Sequence, residues 1–177
     1  FYGLRISIQI GLAAGFVSLT IGTALGITAA YLGGRVEALI MRLIDLQLSF
    51  PAILLALVIV ALLGQGKAQL IGALVAAQYA YFARTAYGAA KAERGKDYIE
   101  AALATPLSGR LVVWRHLLPN CAPPLIVVAT VQIANSISLE ATLSFLGLGL
   151  PVTEPSLGML ISNGFPYMMS GRYWISV

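Results

Sequence analysis

Long apolar runs alternate with short polar segments along the whole chain, and the lengths of those runs predict its elements. From Ile6 to Leu32 no charged residue occurs. As a helix rising about 1.5 Å per residue, this run exceeds the roughly 30 Å hydrocarbon core of a bilayer and predicts a spanning helix. It is longer than the roughly 7–15 apolar residues of a signal peptide and lacks a basic leading region with a clear cleavage site, so a cleavable signal is a poor reading. Further spans are predicted at about Pro51–Leu63, preceded by the apolar-rich Leu39–Phe50, at about Gln69–Ala83, which is short and aromatic-tailed, and at about Pro124–Leu150. The expected fold class is all-α: a polytopic transmembrane helical bundle forming one domain over residues 1–177. The chain opens at Phe1 and stops at Trp174-Ile-Ser-Val177, partway into a new apolar segment, which reads as a fragment lacking the first and last spans.

Composition agrees with the pattern. Hydrophobic residues make up 59% of the chain and charged residues 10%, with a mean hydropathy of +0.86; soluble domains run nearer half apolar and a quarter charged. The net charge of +4 matters less than its placement, because Lys and Arg in short loops set membrane orientation. Arg35 and Arg42 lie in one inter-span segment, and Arg84, Lys91, Arg94, Lys96, Arg110 and Arg115 in another; only Arg5, Lys67 and Arg172 lie at the alternate ends. A cytoplasmic loop is therefore expected at about residues 84–119, together with Gly33–Arg42, and an extracytoplasmic loop at about 151–172. This asymmetry accounts for the positive charge, and no basic stripe with interleaved aromatics is left to suggest a nucleic-acid partner. The single cysteine, Cys121, excludes an internal disulfide framework and a cysteine-only metal site, and reads as a small buried hydrophobe.

Among the polar positions, Asp97-Tyr-Ile-Glu100 has the spacing at which a capping side chain and a carboxylate three residues on satisfy the free amides of a helix start. Ala101, Ala102 and Ala104 favour helix and keep its surface thin enough for another protein's backbone to approach. Pro106 biases Thr105 away from helical dihedrals and lacks an N–H, so the helix should last about two turns. Glu140 is a carboxylate in an otherwise apolar run, where an unpaired charge costs at least a few kcal/mol; it should face protein or a cavity, either as a wall of a translocation path or as a hydrogen-bonding partner between helices. Gly11 and Gly15, and Gly22 and Gly26, have the four-residue spacing that lets membrane helices approach closely, and are expected to pack helices within the chain. Arg42 and Asp45 are expected to form a local ion pair. His116 has no partner cluster for a metal, and Gly64-Gln-Gly66-Lys67 lacks the full spacing and hydroxyl of a phosphate loop.

The stretch from Tyr98 through Glu100-Ala101-Ala102 to Pro106, continuing to Leu118-Pro119-Asn120, resembles the cytoplasmic EAA loop of ABC importer permeases, in which Glu-Ala-Ala begins a short coupling helix and a Leu-Pro follows. Glu100, Ala101, Ala102, Leu118 and Pro119 match in place, whereas Pro106 stands where that family usually has Gly. A glycine would end the helix through a left-handed cap; Pro106 can end it by sterics. Gly33-Gly34-Arg35, Met41-Arg42-Leu-Ile-Asp45, Phe50-Pro51, Arg115-His-Leu-Leu-Pro119-Asn120, Glu140-Ala-Thr-Leu-Ser-Phe-Leu-Gly-Leu-Gly149 and Pro155-Ser-Leu-Gly158 occur in the order of the dipeptide, oligopeptide and nickel branch of these permeases.

The resemblance implies the type I ABC importer permease fold and a transport subunit with no catalytic residues and no cofactor of its own, ATP and Mg being bound by a partner ATPase. It implies docking of that ATPase on Asp97, Glu100, Ala101, Ala102, Thr105, Pro106, Leu118 and Pro119, and a place for Glu140 in the path or in helix packing. The implied partners are ABC ATPase subunits, a second homologous permease chain, an extracytoplasmic solute-binding protein and the lipid bilayer of a bacterial or archaeal inner membrane. A different class of protein, a self-contained secondary transporter or channel, would need coupling groups inside its spans, and Glu140 is the one candidate.

Overall fold

The computed structural model describes residues 2–99, 109–151 and 154–168. Among the described residues every regular element is helical. These are α1 (Tyr2–Leu32), α2 (Gly34–Leu48), α3 (Ala52–Leu63), α4 (Lys67–Arg94), a four-residue α5 (Gly109–Val112), a π-helical turn (Val113–Leu117), α6 (Leu118–Phe145) and α7 (Leu157–Met168); residues 97–99 are also helical. Among the described residues two helical stretches are long and apolar enough to cross a membrane, Tyr2–Leu32 and Val113–Phe145, while α2 and α3 qualify only together and are bent by 90°.

The boundaries follow local chemistry. α1 contains no proline and ends where Gly33 takes φ 66° and its N–H reaches the Ala29 carbonyl at 3.1 Å. Between α2 and α3, Pro51 cannot donate to a continuing helix and pushes Phe50 out of helical dihedrals; Pro51 becomes the residue before α3, at φ −59° and ψ 126°. The 90° turn has that cause. α4 runs past the expected limit at Ala83 as far as Arg94, because the Ala-rich sequence beyond the apolar run still favours helix. With its polar C-terminal extension it is not among the stretches that qualify by length and composition alone.

α6 departs from expectation at both ends. It begins at Leu118 rather than near Pro124 and carries Pro123 and Pro124 inside it, although each removes a hydrogen bond and in a soluble helix would cost about 3 kcal/mol. Membrane helices tolerate such positions when neighbouring groups satisfy the freed carbonyls. It ends at Phe145 rather than near Leu150. Gly147, at φ 77°, donates to the Ser144 carbonyl at 3.1 Å, and Leu148 donates to that of Leu143 at 2.9 Å. Those two bonds make a Schellman cap, which needs a residue free to adopt a left-handed conformation.

The chain forms two compact units. The first comprises Phe1–Gly15, Pro51–Ala77 and Gln132–Val177. Its core joins Ile10, Ala14, Ala56, Val60, Leu70, Leu74 and Leu143. Here Gly11 and Gly15 of α1 lie directly against Ile137 and Ile133 of α6. At its polar ends Gln65 Nε2 donates to the Gly147 carbonyl at 2.7 Å, and Lys67 Nζ lies 3.0 Å from Glu154 Oε2.

The second unit comprises Phe16–Phe50 and Gln78–Val131. Ile27, Phe82, Ala86, Ala90, Cys121 and Leu125 form one buried cluster, and Ala29, Met41, Ile44, Ala80 and Ala83 another. Gly22 and Gly26 of α1 sit so close to α4 that a Cβ on either would overlap the carbonyl oxygens of Tyr79 and Ala83 respectively. Both glycine pairs are thus used within the chain. Asp45 pairs with Arg84 of α4, at 2.7 Å, and not with Arg42 as its spacing on α2 suggested; a guanidinium reaching across from a packed helix displaces the local partner. Glu37 accepts from both Lys91 Nζ and Tyr87 Oη, and Lys91 also donates to Tyr87 Oη at 2.7 Å. Its hydrogen bond from Lys91, then that from Tyr87, holds the Glu37 carboxyl below the ordinary glutamate range, and the Glu37 carboxylate in turn holds the Lys91 ammonium above the ordinary lysine range.

The α1–α4 contact predicts that Gly26→Val will lower the melting temperature of the protein in detergent, with an overpacking cost of about 1–3 kcal/mol. Gly88→Ala on α4, where an added Cβ meets nothing within 4 Å, should be neutral or stabilising by up to about 1 kcal/mol through helix propensity.

The Glu37 cluster predicts a pH window with a defined sign. A depressed carboxyl contributes stability above its unfolded pKa and loses it as pH falls through the folded one; a raised ammonium contributes below its unfolded pKa and loses it as pH rises through the folded one. The stability difference between wild type and Glu37→Gln should therefore be flat around neutrality. It should shrink both below the ordinary glutamate range and above the ordinary lysine range, as measured by thermal melts across pH.

Candidate functional site

The segment implied as a docking element is reached from α4 through residues 95–99 and left through α5 and the π turn. Glu100, Ala101, Ala102, Thr105 and Pro106 lie outside the described residues, as does Ala104. Asp97 is described: it is exposed and already helical, so a helix has begun by that residue. The preceding turn is tight, with the Lys96 N–H donating to the Glu93 carbonyl at 3.1 Å and the Ile99 N–H to that of Lys96 at 2.9 Å. Glu93 organises it further. One carboxylate oxygen accepts from Lys96 Nζ at 2.6 Å and the other from Tyr98 Oη at 2.5 Å. The Lys96 bond, followed by the Tyr98 bond, pulls the Glu93 carboxyl below the ordinary range, and the same carboxylate raises the Tyr98 phenol.

Leu118 and Pro119 lie where the π turn passes into α6. Pro119 has no N–H for the Arg115 carbonyl, and its ring would crowd that oxygen in a regular α-helix. The chain widens instead: the Leu118 N–H reaches back five residues to the Val113 carbonyl, and the Asn120 side chain donates to the His116 carbonyl at 2.7 Å. Such π turns often occur at functional positions. This one leaves Trp114 69% exposed and places His116 beside Tyr98, ring centroids 6.4 Å apart. Below that pair, Ile99 is buried with Val112 and Leu117, and Tyr31 packs against the cluster.

Two residues not singled out in the sequence bind this region to α1. Arg94 Nη1 donates to the carbonyls of Ala30 and Tyr31 at 2.7 and 2.8 Å. The last carbonyls of a helix lack partners within it and carry its negative dipole end, so a guanidinium is well suited there. Tyr31 lies under the Arg94 guanidinium at 5.9 Å, and its hydroxyl occupies the space that a Cβ on Gly109 would need. Arg94 could have been suspected as a basic residue in the last turn of α4; the Tyr31–Gly109 contact has no local sequence signal.

Glu140 belongs to the first unit and is fully buried. Ser144 Oγ donates to its Oε1 at 2.8 Å, one helical turn along. A Cβ on Gly149 would overlap Ser144 Oγ, and one on Gly158 would overlap the Ala141 carbonyl, so the residues after α6 and the start of α7 close over this face of the helix. Among the described residues no three His, Cys, Asp or Glu side chains converge as metal ligands.

Comparison with known proteins agrees with this architecture. The chain is 40% identical over 174 residues to a Brucella suis protein provisionally named a peptide transport system permease, covering 98% of this chain and 58% of that one. It is 34% identical over 174 residues to the dipeptide transport system permease protein DppC of Alkalihalophilus pseudofirmus, covering 98% and 57%. The chain thus spans somewhat over half the length of these curated relatives. A solved structure of the MetNI methionine ABC transporter in inward-facing conformations superposes with a TM-score of 0.77 at 18% identity, over 98% of this chain and 84% of that one. The fold is the all-α fold of a type I ABC importer permease. Residues 22–175 match the model of the binding-protein-dependent transport system inner membrane components, and the chain belongs to that family.

Proposed function

We propose that this chain is the membrane-spanning permease subunit of an ATP-driven importer, lines part of the solute path, and couples it to a separate ATPase. The observation that carries the reading is the family match, which runs through residues 22–175 and so includes both the expected docking loop and Glu140. In this reading ATP and Mg are bound by ABC ATPase subunits, a second homologous permease chain completes the path, and an extracytoplasmic binding protein delivers solute. A peptide is the favoured solute over nickel, because the relatives carry peptide and dipeptide transport in their names. The protein is then multi-pass in a bacterial or archaeal inner membrane.

Orientation is supported by the division of charge. Arg35, Arg42, Arg84, Lys91, Arg94, Lys96, Arg110 and Arg115 lie in two of the polar segments between apolar runs, whereas only Arg5, Lys67 and Arg172 lie at the alternate ends. The positive-inside tendency then assigns the loop at about 84–119 to the cytoplasm and the loop at about 151–172 to the outside. We assign Glu140 to helix packing, on the strength of its burial, its bond from Ser144 and the glycines that close over that face; this leaves the self-contained transporter reading without its candidate group.

Two experiments test the proposal. In a Cys121→Ala background, Ala92→Cys should resist a membrane-impermeant thiol reagent in intact cells and react once the cytoplasmic side is opened, whereas Ala68→Cys at the other end of α4 should react in intact cells. The opposite pattern reverses the orientation. In the complete transporter, Ala102→Trp should reach the membrane at normal levels yet lose copurification with the ATPase, because bulk at a close contact is poorly accommodated. Retained copurification together with normal solute-stimulated hydrolysis would remove residues 100–106 as the docking element.

A further inference from the structure

Two flanks of the 100–108 segment meet at Tyr31, near the C-terminal end of α1. On the incoming side, Arg94 is the last residue of α4 and donates two hydrogen bonds to the Ala30 and Tyr31 carbonyls. On the outgoing side, Gly109 is the first residue of α5 and lies so close to Tyr31 Oη that no side chain fits between them. The next layer repeats the arrangement. Ile99 from the incoming side and Val112 and Leu117 from the outgoing side are buried together, with Tyr31 against them.

We propose that Arg94, Tyr31 and Gly109 form a joint that delivers displacement of the docking loop to α1, with Arg94 and Tyr31 as positioning residues for transport. The inference rests on the docking reading above. Its physical content is stiffness. Arg94 binds backbone carbonyls rather than a flexible side chain, and charge-assisted bonds of this kind are stronger than neutral ones. Tyr31 fills the space beside Gly109, and close-packed contacts transmit small shifts. Both connections end on α1, whose packing on α4 and α6 through Gly22, Gly26, Gly11 and Gly15 leaves it equally little room to give. Pull or push on the loop from either flank is therefore applied to one helix.

The test uses the complete transporter in lipid nanodiscs, with three readouts: ATPase copurification, basal hydrolysis and stimulation of hydrolysis by solute-loaded binding protein. Gly109→Ala places a methyl group against Tyr31 Oη and should leave copurification and basal hydrolysis intact while abolishing stimulation. Tyr31→Phe removes the overlapping oxygen, leaving the ring carbon that bore it 3.0 Å from the new Cβ, and the double variant should regain most of the stimulation. Arg94→Ala should uncouple in the same way, and Arg94→Lys should recover part of the loss because an ammonium can still donate to the two carbonyls. Normal stimulation in both Gly109→Ala and Arg94→Ala would overturn the joint, as would loss of stimulation in Gly109→Ala that Tyr31→Phe does not relieve. Failure of the docking reading is seen separately, in Ala102→Trp, through copurification.

Discussion

Close approach of α1 to its neighbours is the constraint on which the rest depends. In hydrocarbon, helices gain nothing from hiding apolar side chains, and packing must come from contact area and from backbones that can come near one another. Gly22 and Gly26 allow α1 to touch the backbone of α4, and Gly11 and Gly15 allow it to receive Ile133 and Ile137 of α6. α1 thereby contributes to the cores of both compact units. The polar contacts attach to helices already held at these distances: Asp45 reaches Arg84, Glu37 reaches Lys91 and Tyr87, and Arg94 reaches the end of α1.

The exposed surface has the same origin. Leu12, Phe16, Leu54, Val58, Ile126 and Val127 are all exposed. In a water-soluble monomer so much apolar surface would mark a binding site or an aggregation hazard. In a member of an inner-membrane family such a surface suits contact with lipid or with a neighbouring membrane subunit, either of which is as apolar as it is.

Much of this could be read in the sequence, because the signals were local. The charge-free run from Ile6 to Leu32 gave α1 almost to the residue at its C-terminal end, and the four-residue glycine spacing identified a packing face. Pro51 broke the helix where a proline should. What could not be read depended on tertiary partners. α4 continues to Arg94 because alanines keep forming helix after hydropathy falls, and Arg84 on that extension finds Asp45. α6 carries two prolines that local rules place at a helix start, and the widened turn ahead of Pro119 has no sequence marker beyond the proline itself. Within the docking region, the Glu-Ala-Ala core lies outside the described residues, and what the structure adds is its surroundings: the Glu93 clasp, the Tyr98–His116 contact and the Arg94 cap.

The burial of Glu140 has a consequence for how the protein is made. Synthesis proceeds from the N-terminus, so α6 emerges before Gly149 and Gly158, the glycines that close over the Glu140–Ser144 face. Until they arrive, the Glu140–Ser144 face lacks part of its cover, and a carboxylate left facing hydrocarbon costs at least a few kcal/mol. The helices made before it, α1, α3 and α4, already pack against the neighbouring Leu139 and Leu143, so α6 has partners to meet as it emerges. The cover over Glu140 is therefore built from both sides of α6 in sequence, and the order of synthesis sets the order in which it closes.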